Sequence, residues 1–353
     1  MKKILFFTPG LDIGGIEKVF VTYANFLVEH NYKVYYSYCH DKGKLEKVLS
    51  TEVVRCPLGS KRLMYSLPSL ISLLNHFHPD YLITGGDYSN CLAIIASSFV
   101  KGTKCIISHH SYFNVETNKA ISTFMIRTFY NRAYRVISVS QGITELLISL
   151  GVKDKVIETI YNPLDINQIL RDSTLSVNCD IKTIDYLVFV GRLSAVKNLK
   201  MMLEAFKIVL SKKNSLKLLI VGEGAESDKL KEYCCRLKID DSVRFLGATS
   251  NPYPYMKYAQ LVLLSSLSEA LPTVILESFA LRKTVVSTPT EGAKDLLQLG
   301  HCGYLSSDIQ NSEAFANTIL LALEERISED LLLQRAEDFS IAKQAELFSR
   351  ILK

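Results

Sequence analysis

Short apolar runs alternate with longer amphipathic stretches from the start of the chain: KKILFFTP is followed by GIEKVFVTYANFLVEH and then YKVYYSYC. Brief runs rich in Val, Ile, Phe and Tyr predict strands buried on both faces, and apolar residues recurring every third or fourth position predict the helices that cover them. The rhythm continues through YLITGG, KCIISHH and RVISVS to about Asn162. It restarts with DYLVFVGRL, LKLLIVGEG, VRFLG, QLVLLSS, TVVST and CGYLSS. The stretch between them, residues 163 to 184, reads PLDINQILRDSTLSVNCDIKTI, which is polar and has no long apolar run.

This pattern predicts an α/β chain of two Rossmann-like doubly wound domains. The expected division is an N-terminal domain over 1–170, a linker over 171–184 and a second domain over 185–335. A terminal helix is expected over 336–353, in EDFSIAKQAELFSRILK.

Composition narrows the class. With 353 residues, 48% of them hydrophobic, the chain can build two packed cores. No stretch approaches the roughly 18 to 20 apolar residues of a membrane-spanning helix, and MKK runs into ILFF without a signal-peptide cleavage region, so a cytoplasmic protein is expected. The eight cysteines are scattered, with no C-x-x-C pair, which argues for reduced thiols over a disulfide framework or a zinc site. Residues 1–170 hold 18 Lys and Arg against 13 Asp and Glu, whereas the remainder balances at 23 against 23. So modest a surplus excludes a nucleic-acid-binding signature but suits a surface facing anionic lipid head groups or phosphates.

Candidate chemistry sits where strands end. TPGLDIGGIEKVF places Gly14 and Gly15 between a strand and a helix, where backbone N–H groups can approach a ligand; a structural turn is the competing reading. VFVGRLSAVKN sets Arg192 and Lys197 across a strand-end loop, where two cations can clamp a diphosphate or simply be solvated. LLIVGEG offers Gly222, Glu223 and Gly224 in an incomplete dinucleotide pattern that fits a turn lining a base-binding crevice as well as it fits NAD. In SSLSEALPTVILESFA, Glu269 falls in the loop after a strand and Glu277 one turn into the helix that follows, with Thr273 as the expected N-cap. Amides around Leu271, Pro272, Thr273 and Val274 would then form an anion site at a helix tip. One carboxylate on either side of that tip can read a sugar and a ribose flanking a diphosphate.

Taken in order, GLDIGGIEK, ISHHS, ISVSQGI, IYNPLD, VFVGRLSAVKN, LLIVGEG, VRFLG and the E-x7-E of SSLSEALPTVILESFA resemble the retaining glycosyltransferases of family four. The resemblance spans nearly the whole chain. It implies the GT-B fold, two Rossmann-like domains facing across a cleft, with the last helix crossing back to the first domain. It implies that Glu269 bonds the donor sugar, that Arg192 and Lys197 neutralise the leaving diphosphate, that Glu277 holds the ribose, and that Gly14 and Gly15 let the first loop close over the phosphates. The family's histidine is matched by His109 or His110, and Ser111 after it favours His110. The family usually has glycine where this chain has Ala270, which costs on the order of 1 kcal/mol if the backbone there needs a positive φ.

The function so implied is retaining transfer of a sugar from a nucleoside diphosphate donor, UDP by frequency in the family, to a hydroxyl of a glycan or lipid-linked acceptor. The expected setting is surface polysaccharide or glycolipid synthesis, such as lipopolysaccharide or capsule, with no metal, no cofactor beyond the donor and no nucleic acid. The segment SKRLMYSLPSLISLLNHF, residues 60 to 77, combines Lys61 and Arg62 with Leu63, Met64, Tyr65 and Leu67. It is either an ordinary helix or an attachment point to an anionic membrane at the cell's inner face. The rival readings are a catalytically silent sugar-nucleotide binding protein, an epimerase of the same fold, and an NAD-dependent oxidoreductase, the last lacking its full glycine fingerprint.

Overall fold

The structure is a computed structural model that describes residues 1–11, 15–39, 43–60, 62–110, 112, 119–176 and 181–353. The chain forms two compact units, one of Met1–Pro163 with Ile341–Lys353 and one of Leu164–Ser340.

The first unit is built on seven strands: β1 Lys3–Thr8, β2 Lys33–Tyr38, β3 Val54–Pro57, β4 Tyr81–Gly85, β5 Lys104–His109, β6 Arg135–Ser138 and β7 Ile157–Thr159. All pair in parallel, in the order β3-β2-β1-β4-β5-β6-β7. Phe6 of β1 lies in register with Tyr36 of β2 and Ile83 of β4. Helix Gly15–Glu29 covers this face because Phe20, Tyr23, Ala24 and Leu27 recur at helical spacing and are buried against Phe6, Tyr36 and Ile83. The C-terminal helix Ile341–Arg350 joins the same core through Ala345 and Phe348, whose ring stacks on Tyr23 at 4.3 Å between centroids.

The second unit holds six parallel strands, β8 Tyr186–Val190, β9 Lys217–Val221, β10 Val243–Gly247, β11 Leu261–Leu264, β12 Val285–Ser287 and β13 Tyr304–Leu305, in the order β10-β9-β8-β11-β12-β13. Leu187, Phe189, Leu218 and Leu263 pack against Met202 and Phe206 of helix Leu199–Leu210 and Phe315 and Ile319 of helix Ser312–Glu324. Both sheets are doubly wound, as expected from runs such as YLVFV and KLLIV that carry no polar face.

The units divide at Pro163/Leu164, not within 171–184. Residues 164–170, grouped with the first domain on sequence grounds, pack in the second unit. Leu164 N donates to Phe339 O at 2.8 Å, and the Asp165 side chain caps helix Ile166–Asp172 by accepting from Gln168 N at 2.9 Å. The helix is short and only Ile166 and Ile169 are buried, so its polar composition hid it. At the other end Ala336 and Phe339 are buried in the second unit, which therefore runs to Ser340 rather than 335. Among the described residues no helix is long and apolar enough to cross a membrane, and the seven described cysteines are free.

Candidate active site

In the second sheet the strand order reverses between β8 and β11, and ligand crevices of doubly wound sheets open at the carboxyl ends of such a pair. The loops after β8 and β9 lie backbone on backbone there. Gly191 N donates to Val221 O at 3.0 Å, and Leu193 N to Glu223 O at 2.9 Å. Gly222 has φ 142°, and a Cβ on it would sit 1.9 Å from Gly191 O; one on Gly224 would sit 2.2 Å from Leu193 O. The two glycines of GEG thus serve this close approach between loops, which accounts for a dinucleotide-like pattern without its third glycine. Between them Glu223 extends toward β10, its Oε1 coming within 3.4 Å of the Cβ position of Gly247.

Lys197 ends the short turn Ala195–Lys197, and Asn198 then adopts the left-handed region at φ 50° before helix Leu199–Leu210 begins. That turn is fastened to the exit of β11: Ser265 Oγ donates to Lys197 O at 2.7 Å and Leu267 N to Val196 O at 2.8 Å. The fastening brings the Lys197 ammonium onto Oε1 of Glu269. The same oxygen accepts from Ser266 Oγ at 2.7 Å, while Thr288 Oγ1 donates to Ser266 O at 2.6 Å. Gly292 N donates to Glu269 O at 3.0 Å, and a Cβ at Gly292 would meet Ala270 O at 2.6 Å. Both the carboxylate and the peptide of Glu269 are therefore fixed, with the side chain 15% exposed toward the crevice. Ser266, Thr288 and Gly292 were not singled out in the sequence, although paired serines closing an apolar strand are a visible signal. Ala270 is not among the residues with positive φ, so the alanine in place of glycine carries no backbone cost.

Arg192 is exposed and makes no side-chain hydrogen bond or ion pair with any described residue. Helix Thr273–Ala280 starts one residue earlier than expected: Pro272 is the N-cap at φ −72° and ψ 100°, and Thr273, exposed, is the first helical residue and makes no capping bond. Proline can cap here because its missing N–H belongs to the end of the helix that needs none. Leu271 and Pro272 are buried and anchor the tip. Of the first-turn amides Ile275 N donates to Pro272 O at 3.0 Å, while Thr273 N and Val274 N precede any acceptor in the helix, and their positive end favours an anion. Glu277, in the second turn, is partly buried and lies near the Tyr253 phenol. Burial raises the Tyr253 pKa, and the nearby Glu277 and Asp172 carboxylates raise it further, so the phenol stays a neutral donor.

The expected residues of the first unit lie at the carboxyl ends of its own strands. His109 closes β5 and is buried; its Nδ1 lies 3.2 Å from Asp87 Oδ1 and 3.1 Å from Tyr130 Oη. Burial opposes ionisation of Asp87, but hydrogen bonding and charge from His109, with the hydroxyls of Ser122 and Tyr130, outweigh it and hold the carboxyl below its ordinary value. His110, half-buried, bonds Ser108 Oγ through Nε2 at 2.7 Å and sets its ring edge-on to Phe20. Burial, with His109 beside it, pushes the His110 pKa down to about 3, so the ring is neutral near pH 7. Gly15 opens helix Gly15–Glu29 with open space around its Cβ position; Gly14 and Lys61 lie outside the described residues. Within residues 60–77, helix Leu67–Phe77 buries Leu70 and Leu74 like an ordinary packed helix, whereas Met64 and Tyr65 before it are 74% and 66% exposed beside exposed Arg62.

Comparison with known proteins adds to this geometry. The family model described as Glycosyltransferase Family 4 matches residues 13–168, and the one described as Glycosyl transferases group 1 matches residues 180–339. One relative in Campylobacter jejuni is 28% identical over 374 aligned positions, covering 100% of this chain and 98% of its own. It is named GalNAc-alpha-(1->4)-GalNAc-alpha-(1->3)-diNAcBac-PP-undecaprenol alpha-1,4-N-acetyl-D-galactosaminyltransferase. Another from the same organism is 26% identical over 269 residues, 74% of this chain and 70% of its own. It is named N-acetylgalactosamine-N,N'-diacetylbacillosaminyl-diphospho-undecaprenol 4-alpha-N-acetylgalactosaminyltransferase. The crystal structure of Anabaena Alr3699/HepE in complex with UDP superposes with a TM-score of 0.84 at 20% identity, covering 100% of this chain and 99% of that one.

Proposed function

Because the chain belongs to glycosyltransferase family 4, with the two-domain GT-B fold, we propose that it moves a sugar from a UDP-sugar to a hydroxyl of a lipid-linked glycan with retention at the anomeric carbon. The observation that carries this reading is the joining of Lys197 and Glu269 beside the tip of helix Thr273–Ala280, in the loop that also bears Arg192, whose side chain has no partner among the described residues. As the bond from the sugar's anomeric carbon to the β-phosphate oxygen breaks, negative charge gathers on the diphosphate. Arg192, Lys197 and the tip amides stabilise that charge. With the diphosphate so neutralised, no metal is required. Glu269 orients the sugar hydroxyls, and Glu277 takes the ribose.

Glu269 is already engaged by a lysine and a serine, which suits a fixed hydrogen-bond acceptor rather than a nucleophile that must form and break a covalent bond. The acceptor oxygen attacks the face the diphosphate leaves, and its proton passes to the departing phosphate oxygen. The Campylobacter relatives, named for undecaprenol diphosphate acceptors, and the UDP bound by the Anabaena protein support the substrate classes. Exposed Met64 and Tyr65 beside Arg62 support peripheral attachment to an anionic membrane at the cytoplasmic face, where such an acceptor resides. That attachment predicts co-sedimentation with anionic vesicles and not with neutral ones.

The test of the function is a panel of UDP-, GDP- and ADP-sugars against undecaprenyl-diphosphate-linked oligosaccharides in chelator, with the product's anomeric configuration read by NMR. Transfer with inverted configuration, or turnover abolished by chelation, overturns the mechanism. Donor binding without transfer or slow donor hydrolysis makes the chain a silent binding protein.

A further inference from the structure

We propose that Ser108 is a positioning residue that fixes the tautomer of His110. The ring then offers Nδ1–H as a hydrogen-bond donor to an oxygen of the transferred sugar and does not act as a base. The inference rests on the reading of His110 as the histidine that meets that sugar.

Side chains two apart along a strand leave on the same face. Ser108 in β5 and His110 just past its end therefore meet, whereas His109 between them turns to Asp87 and Tyr130. Ser108 is firmly placed: it lies in register with Gly85 of β4 and Ile137 of β6, and its carbonyl accepts from Asn90 Nδ2 at 3.0 Å. The residue is 2% exposed, and its hydroxyl bonds His110 Nε2 at 2.7 Å, with no other partner among the described residues. That bond can run in either sense, and burial decides which. If Nε2–H donated to Oγ, the hydroxyl proton would be left with neither an acceptor nor water, a costly state for a buried donor. If the hydroxyl donates to Nε2, no proton of the pair is orphaned. The ring is neutral near pH 7, because burial, with His109 beside it, pushes its pKa down to about 3. It carries one proton, and with Nε2 accepting, that proton sits on Nδ1. Nδ1 makes no hydrogen bond to any described residue, and the ring is half-buried, packed edge-on to Phe20 at 6.3 Å between centroids. A histidine protonated in this way is a donor, which agrees with an attack in which the acceptor's proton passes to the departing phosphate oxygen.

The test reads the tautomer itself, in long-range proton–nitrogen correlation spectra of the full chain carrying isotope-labelled histidine. The His110 signals are identified by their loss in His110→Asn. The native ring is expected to carry its proton on Nδ1. Ser108→Ala should release the ring to the Nε2–H form or to a mixture, and should lower kcat/KM for sugar transfer roughly tenfold, as for one lost hydrogen bond. Ser108→Thr keeps the hydroxyl on a residue suited to a strand and should restore both. A native ring protonated on Nε2, or a Ser108→Ala ring still protonated wholly on Nδ1, overturns the inference. So does a Ser108→Ala protein whose tautomer changes while its transfer rate holds, when His110→Asn is impaired. If instead His110→Asn transfers sugar as fast as the native protein, His110 is not at the sugar, and the inference falls with the reading beneath it.

Discussion

The ammonium of Lys197 is bonded to the carboxylate of Glu269, so the cation assigned to the diphosphate and the acid assigned to the sugar hold each other before any donor arrives. Both side chains are largely shielded from solvent, at 22% and 15% exposure, which places the pair between a surface ion pair and a buried one.

The pairing separates binding from turnover. Glu269→Gln removes the carboxylate charge that competes with phosphate for Lys197, so UDP affinity should hold or tighten. Turnover should still fall about 10²- to 10³-fold, as when one preorganised group is lost from a charged transition state. Calorimetry with UDP alongside a transfer assay checks both halves; parallel losses in affinity and rate would mean that the carboxylate supports the fold rather than the sugar.

Arg192 has no side-chain partner to leave among the described residues, so its contribution is expected to appear wholly in the diphosphate. Arg192→Ala should weaken UDP roughly 10- to 100-fold, the range for hydrogen bonds to charged groups, while uridine binding stays unchanged. Added salt should narrow the gap between native and variant proteins.

Two glycines in loops after strands should respond oppositely. Gly222→Ala places a methyl group 1.9 Å from Gly191 O at a φ of 142° and should cost roughly 3 kcal/mol or more, read as a lowered unfolding midpoint in urea. Gly15→Ala meets nothing within 4 Å and should leave stability unchanged or raise it by up to ~1 kcal/mol. Any loss of transfer in Gly15→Ala therefore reports on the donor and not on folding.

His110 makes stability depend on acid. Its pKa falls from 6.5 to about 3 on folding, so between those values the unfolded chain binds a proton that the folded chain refuses. The contribution is complete above pH 6.5 and is lost as pH drops toward 3, which predicts a urea midpoint that declines between pH 7 and 4.5. In His110→Asn, which carries no titratable ring, that part of the decline should flatten.

Much of the fold was legible because its strands are buried on both faces, so YLITG, KLLIV and LVLL read as strands without alternation. The exceptions have physical causes. Strand β3, VRCP, is a short edge carrying an arginine and a proline, and β7 has three residues. Helix Ile166–Asp172 buries only two isoleucines, too few for a periodic signal. In the site, residues whose own chemistry is distinctive, such as Glu269, Glu277, Arg192 and Lys197, were visible in the sequence. Thr288 and Gly292 were not, because their roles arise from contacts with a loop some twenty residues away, Thr288 on Ser266 O and Gly292 on Glu269 O. The two adjacent histidines could be told apart only once the strand was seen to send His109 toward Asp87 and Tyr130 and His110 toward Ser108 and Phe20.

Leu164 and Ser340 form a parallel bridge, and both ends of the polypeptide are rooted in the first unit. Residues 164–340 are therefore an uninterrupted insert whose two junctions are neighbours, a natural cassette. Exchanging it between relatives at those two points should transplant nucleotide preference intact while leaving the host's acceptor untouched, which makes the junction at 163/164 and 340/341 the place to build chimaeras.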